Sequence, residues 1–212
     1  MSGRGLLRGS GLLLPVIAIG AGLCLTAGAA NAGVVPNPAN HGTLVDKPIE
    51  DFRYDRATSC RGDVPKGMKA LESWLERNVR GESWGITRCE HLKRGNFSVH
   101  SEGRAIDWHL DAGISKQRRA AVRLVRTLLA KDRHGNEAAL ARRMGIQGLI
   151  FDCKSWWSGM DELGEYSYCY KRNGQIRHDL DRTQSHRDHV HIELNWPGAR
   201  KRTSFWHSGV SR

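Results

Sequence analysis

The tract His186-Arg-Asp-His189-Val-His191-Ile-Glu193-Leu194 constrains the fold of this chain more than any other. In a strand, side chains alternate, so His189, His191 and Glu193 share one face and Val190, Ile192 and Leu194 the other. The apolar face has to be covered by other elements, which calls for a layered domain. The polar face carries two imidazoles two residues apart, a common ligand spacing for zinc, although two surface histidines on a half-exposed strand would read the same way.

A second tract, Ser98-Val-His100-Ser-Glu-Gly103-Arg-Ala105-Ile-Asp107-Trp108, supplies a complement. Gly103 lets the chain turn sharply after His100, and the following strand, Ala105–Leu110, brings Asp107 back towards it. On that strand Ala105, Asp107 and His109 share one face, and Ile106, Trp108 and Leu110 the other. An acid facing a histidine across a glycine turn, with an apolar opposite face, suits half of a metal site.

The rest of the chain predicts a mixed architecture. After Pro65, Met68, Leu71, Leu75 and Val79 recur at helical spacing until Gly81. Ser83–Cys89 reads as a strand. Ser115 is placed to cap a helix whose inner face is Ala121, Val125, Leu128 and Leu129. Its outer face, Arg118, Arg119, Arg123 and Arg126, reads as a solvated basic surface. A short helix over Asn136–Met144 ends at Gly145, and Leu149–Cys153 reads as a buried strand. Trp156–Asn173 reads as an irregular aromatic loop, and Asn195-Trp196-Pro197-Gly198 closes the last strand. The expected class is α+β, a small antiparallel sheet with helices on one side.

The N-terminus bears on compartment. Met1–Ser10 carries Arg4 and Arg8 and no acid, Gly11–Leu25 has no charge, and Ala30-Asn31-Ala32 follows. A basic start, a short apolar core and a small-x-small end predict a signal peptide over residues 1–32. The apolar core falls short of the roughly 20 residues of a membrane span. Residues 33–56, with Pro36, Pro38 and Pro48, read as an extended or flexible lead-in, and 57–212 as one domain. Four cysteines then remain, Cys60, Cys89, Cys153 and Cys169, which in an exported protein predict two disulfides. The nearest-neighbour pairing is favoured because each bridge ties a loop to an adjacent strand, and no C-x2-C spacing supports a four-cysteine zinc site. The formal charge of +11 falls to +9 without Arg4 and Arg8. Such a surface attracts polyanions, whether teichoic acids, anionic lipid or nucleic acid.

Taken together, Ser98-x-His100-x-x-Gly103-x-Ala105-x-Asp107 and the distant His189-x-His191 resemble the zinc peptidases of the D-alanyl-D-alanine carboxypeptidase, lysostaphin-type and Hedgehog fold. The flanking residues, Gly103–Trp108 and His186–Gly198, resemble a secreted actinobacterial branch related to the extensin-like C-terminal domains. The resemblance covers roughly Asp63 to Trp206. It implies that His100, Asp107 and His191 are zinc ligands with a fourth position left for water, that His189 is a catalytic histidine and that His186 is an additional active-site histidine. One departure stands out, because no glutamate lies three residues before His189 or His191. The general base is then His189, Glu193, Asp188 or a remote group. Arg88 is a candidate for binding a substrate carboxylate, or else a salt-bridged arginine.

The implied function is a secreted or wall-associated, zinc-dependent hydrolase that cleaves an amide bond in cell-wall peptidoglycan peptide, with anionic wall polymer as a further partner. The alternative is an inactive zinc-containing module that binds wall polymers or a partner protein. Metal nucleases gather more carboxylates, or an asparagine, around their ions, so nucleic acid is not the expected partner. No stable membrane span is expected once the leader is removed.

Overall fold

Strand β6 (His189–Leu194), the last in sequence, lies in the middle of the sheet between β2 (Ala105–His109) and β3 (Ile146–Phe151). This computed structural model describes residues 38–92 and 96–211, so the predicted leader and Cys24 lie outside the described residues. The described residues fall in one unit, Val35–Arg212. Three shorter strands complete an open sheet: β1 (Glu82–Ser83), β4 (Lys154–Trp157) and β5 (Gly164–Glu165), in the order β1-β2-β6-β3-β4-β5. All neighbours are antiparallel. Four helices accompany the sheet among the described residues: α1 (Lys66–Asn78), α2 (Ser115–Leu129), α3 (Ala139–Met144) and the single turn α4 (Trp196–Ala199). The architecture is α+β, and among the described residues no helix is long and apolar enough to cross a membrane.

The sheet is two-faced, as alternation requires. Ile106, Trp108, Leu149, Val190, Ile192 and Leu194 form one core with Met68, Leu71 and Leu75 of α1, Leu124, Val125 and Leu128 of α2, and Leu140 and Met144 of α3. Area burial of this kind contributes most of a domain's stability, about 1.5–3 kcal/mol per large apolar side chain. The other face, with Asp107, His189, His191 and Glu193, is left for polar chemistry.

Several elements differ from the sequence expectation, each for a local reason. The strand expected over Ser83–Cys89 keeps regular register only at Glu82–Ser83; the Trp84 N–H and the Gly85 carbonyl both still bond Asp107, Gly85 standing at φ +119°. Residues beyond it then run past His100, with the Arg88 N–H on the His100 carbonyl at 3.4 Å. The strand expected over Leu149–Cys153 runs instead over Ile146–Phe151. Asp152 and Cys153, at φ +47° and +59°, make a tight hairpin turn into β4, so Trp156 sits in a strand rather than in a loop. Ser115 begins α2 without capping it, since Ile114 occupies the cap position. Asn136 lies outside α3, where its backbone and side-chain amides both bind the Asp132 carboxylate in a side-chain-closed turn. Gly145 at φ +77° ends α3 as expected.

The described part of the lead-in opens with two 3-10 turns, Pro38–Asn40 and Gly42–Leu44, and is fastened to the domain. Ala39, Leu44 and Val45 are buried, and the Arg143 guanidinium donates to the carbonyls of Val45, Lys47 and Pro48. The two disulfides join Cys60 to Cys89 and Cys153 to Cys169, the nearest-neighbour pairing.

Candidate metal centre

His100 stands on a 3-10 turn, Val99–Glu102, whose ends explain the surrounding residues. The Ser98 hydroxyl caps the turn by accepting the His100 N–H, and Gly103 closes it at φ +65°. A Cβ on Gly103 would meet the Asp63 carbonyl at 2.4 Å, so the position also needs the missing side chain. The turn delivers the chain into β2, where Asp107 is paired directly with His191 of β6. Directly opposed residues of an antiparallel pair project from the same face about 5 Å apart.

Three atoms converge there: His100 Nε2, Asp107 Oδ1 and His191 Nδ1, with all three residues buried. Their separations are 3.2 Å (His100 to Asp107), 3.2 Å (His100 to His191) and 2.9 Å (Asp107 to His191). The circle through them has a radius of about 1.8 Å, just inside the ~2.0–2.1 Å bond zinc makes to nitrogen or oxygen, so an ion slightly off their plane reaches all three.

The partners on the far side of each ring decide what these atoms can do. His100 Nδ1–H donates to the Ile86 carbonyl at 2.6 Å, and His191 Nε2–H donates to Glu193 Oε1 at 3.1 Å. Both rings therefore turn their other nitrogen towards Asp107; in the metal-free centre His191 keeps a proton there, on the Asp107 carboxylate, and a metal ion at the centre would replace it. Histidine ligands held through their other nitrogen by a carbonyl or a carboxylate are the usual support of a metal site. This buried group can hold a metal ion.

Electrostatics agree with the geometry. Burial alone raises the Asp107 carboxyl, but hydrogen bonds and charge from His100 and His191 hold it far below the ordinary carboxylate range. Burial, opposed by the hydrogen bond with Asp107, lowers His100 and keeps it neutral, as a ligand must be. For His191, burial is overcome by Asp107 and Glu193, and in the metal-free centre the ring is pushed up to about 9.

The remaining expected residues gather around this group. His189 lies two residues along the same face, with Nδ1–H on Asp188 Oδ1 at 2.7 Å and Nε2 3.4 Å from Asp107 Oδ1. Asp188 is pushed up by burial, but the Thr183 hydroxyl and His189 hold it below the usual range, so it is a carboxylate. The His186 ring is 4.7 Å from His189 and 5.6 Å from His191, and its buried Nδ1 has no hydrogen-bond partner. Burial and the neighbouring His191 and His189 push it down to about 2, leaving a neutral ring. His186 is in the left-handed region at φ +50°, held there by the β3–β4 turn, whose Asp152 and Cys153 N–H groups bind the carbonyls of His186 and Ser185.

Arg88 is the salt-bridged arginine of the two readings. Its Nη1 donates to Asp107 Oδ2 and its Nε to Glu90 Oε1, both at 2.6 Å, so it steadies the outer oxygen of Asp107. Glu193 is likewise engaged with His191 on one oxygen, and its other oxygen accepts from Gln147 Nε2 at 3.1 Å. Gln147 in turn binds the backbone of Asp55, which links the lead-in to Glu193 and His191. Trp84 was not anticipated. It is exposed, stacked on His109 at 4.0 Å and 14°, and 6.3 Å from His189. No local pattern marks it, because its place follows from the backbone bond of Trp84 N–H to the Asp107 carbonyl. Trp156 is core, and Trp157 packs edge-on to Tyr54 at 5.9 Å.

Comparison of the chain with protein-family models, with curated proteins and with solved structures returns no match.

Proposed function

We propose that the protein is a mononuclear metalloprotein with three protein ligands, and more particularly a secreted zinc-dependent hydrolase of the Hedgehog/D-Ala-D-Ala-peptidase type that cleaves an amide bond in cell-wall peptidoglycan peptide. One observation carries the reading: one ligand atom each of His100, Asp107 and His191 converge beside a further imidazole, His189, that is itself held by a carboxylate. Two imidazoles and one carboxylate are a donor set suited to zinc, and three protein ligands leave a position for water or substrate. When bound, zinc supplies Lewis acidity, polarising a carbonyl and acidifying water.

The chain's own residues supply the proton chemistry. Glu193 is engaged on the far nitrogen of His191, so the role of base falls to His189. Its Nε2 takes a proton from the attacking water and returns it to the leaving amine, while Asp188 fixes the tautomer and stabilises the imidazolium. His186, neutral and packed against the His189 and His191 rings, is the additional histidine beside the site. Arg88 acts through Asp107 by holding its outer oxygen. The resemblance of the Ser98–Asp107 and His186–Gly198 tracts to zinc peptidases supports the same reaction class, and the two disulfides fit an exported protein.

The test compares zinc-loaded wild type with His189→Ala on purified peptidoglycan fragments, reading new amino termini by mass spectrometry. The expected outcome is cleavage by the wild type and a loss of about 10²–10⁴-fold in the variant, with zinc content retained. Equal, near-zero rates in two zinc-loaded proteins would overturn the hydrolase and leave a zinc-containing module that binds wall polymer or a partner protein.

A further inference from the structure

Helix α2 has a charge pattern that its own packing does not use. Lys116, Arg119, Arg123 and Arg126 are three, four and three residues apart, so they share one helix face, and at 1.5 Å rise per residue they extend over about 15 Å. All four are exposed. None is in an ion pair among the described residues, whereas the adjacent Arg118 binds Asp152 at 2.9 Å. The helix contains no acid, and none lines the two adjoining grooves along its outer side, one of which reaches Arg80 just past α1; Glu82 lines a third, beside Lys116. Like charges three and four residues apart, some at the helix N-terminus, cost helix stability, and an external anion relieves that cost.

The position of the stripe matters as much as its charge. Ala121, Leu124, Val125 and Leu128 bury the inner face of α2 in the core beneath Ile106 and Trp108. The metal ligands project from the opposite face of those strands. A ligand on the stripe therefore leaves the metal centre open. Among the described residues, the one large exposed apolar side chain on α2 is Ile114 at its N-cap, too little to insert the helix into a bilayer. The one aromatic lining the grooves, Trp74, is only 5% exposed and offers no platform for stacking a base. A linear, flexible polyanion fits best.

We propose that the α2 stripe binds a linear phosphodiester polymer of the cell envelope, one phosphate to each cation, tethering the protein by the side away from its metal centre. The choice of an envelope polymer rests on the reading of the protein as exported. Binding requires no metal, so its failure and the failure of the zinc reading are distinguishable. The experiment measures binding of the full mature protein to purified poly(glycerol phosphate) over a salt series. It compares wild type, Arg119→Gln/Arg123→Gln/Arg126→Gln, and a charge-matched control, Lys171→Gln/Arg172→Gln/Arg200→Gln. The expected result is salt-sensitive binding whose slope in log K against log salt falls by about two in the stripe variant, roughly 0.7 per lost phosphate contact. The control keeps the wild-type slope, and both variants keep the wild-type far-ultraviolet circular dichroism spectrum. Equal loss in the control, no binding by the wild type, or tighter binding to duplex DNA or to phosphatidylglycerol vesicles would each overturn the proposal.

Discussion

His191 is held at both ring nitrogens, by Asp107 on one side and Glu193 on the other, and this sets how the centre responds to pH. Without metal its proton is retained up to about pH 9, so below that pH a metal ion has to displace it. Apparent zinc affinity therefore rises with pH, by about tenfold per unit, and levels off above the pKa of His191. Calorimetry in buffers of different ionisation enthalpy checks this by counting released protons. An affinity that does not change between neutral and mildly alkaline pH would contradict it. Gly148 tests the other support of the same ring. A Cβ there would lie 2.5 Å from the Trp157 ring and 3.1 Å from Glu193 Oε2. Gly148→Ala is expected to displace Glu193 from His191 and weaken metal binding about 10–100-fold, read by competition with a chromophoric chelator. Unchanged affinity would show that Glu193 does not position the ligand.

At the scale of elements, the centre depends on two local structures and one long-range register. The turn from Ser98 to Gly103 and the alternation of β6 were legible in the sequence, because a cap, a left-handed glycine and a two-residue period are local signals. The pairing of Asp107 with His191 was not, since strand register across 84 residues leaves no local trace. Strand β4 was hidden for a related reason. Its hairpin turn is Asp152-Cys153, which lacks the glycine that normally marks two positive φ angles. The lead-in was misleading in another way. Its prolines suggested a loose segment, but Ala39 and Leu44 reach the core and Asp55 reaches Gln147. Arg104 shows how firmly these parts are joined. Fully buried, it binds Glu102 at 2.7 Å and the carbonyls of Leu194 and Asp55. Arg104→Ala leaves Glu102 buried without its partner and is expected to destabilise the fold by about 3–5 kcal/mol in urea denaturation. Arg53→Ala, which breaks the exposed pair with Asp55, is expected to cost no more than about 1 kcal/mol. Similar costs for the two would refute this account of Arg104.

On the scale of the whole molecule, one sheet separates two kinds of surface. Its apolar face holds the helices and, beyond them, the basic stripe of α2, while its polar face holds the metal centre and Trp84. The disulfides lie beside the centre rather than across the helical core. Cys89 follows Arg88, which holds Asp107, and Cys153 lies in the turn that binds the His186 loop. The molecule thus combines a covalently braced polar face with a helical face free to interact. The hydrolase reading rests on zinc binding by His100, Asp107 and His191. Elemental mass spectrometry on tag-free mature protein, with His191→Ala alongside, tests that claim most directly. The account predicts about one zinc per chain in the wild type, lost in the variant, as three protein ligands require. No zinc in the wild type after reconstitution, or the same content in His191→Ala, would contradict it.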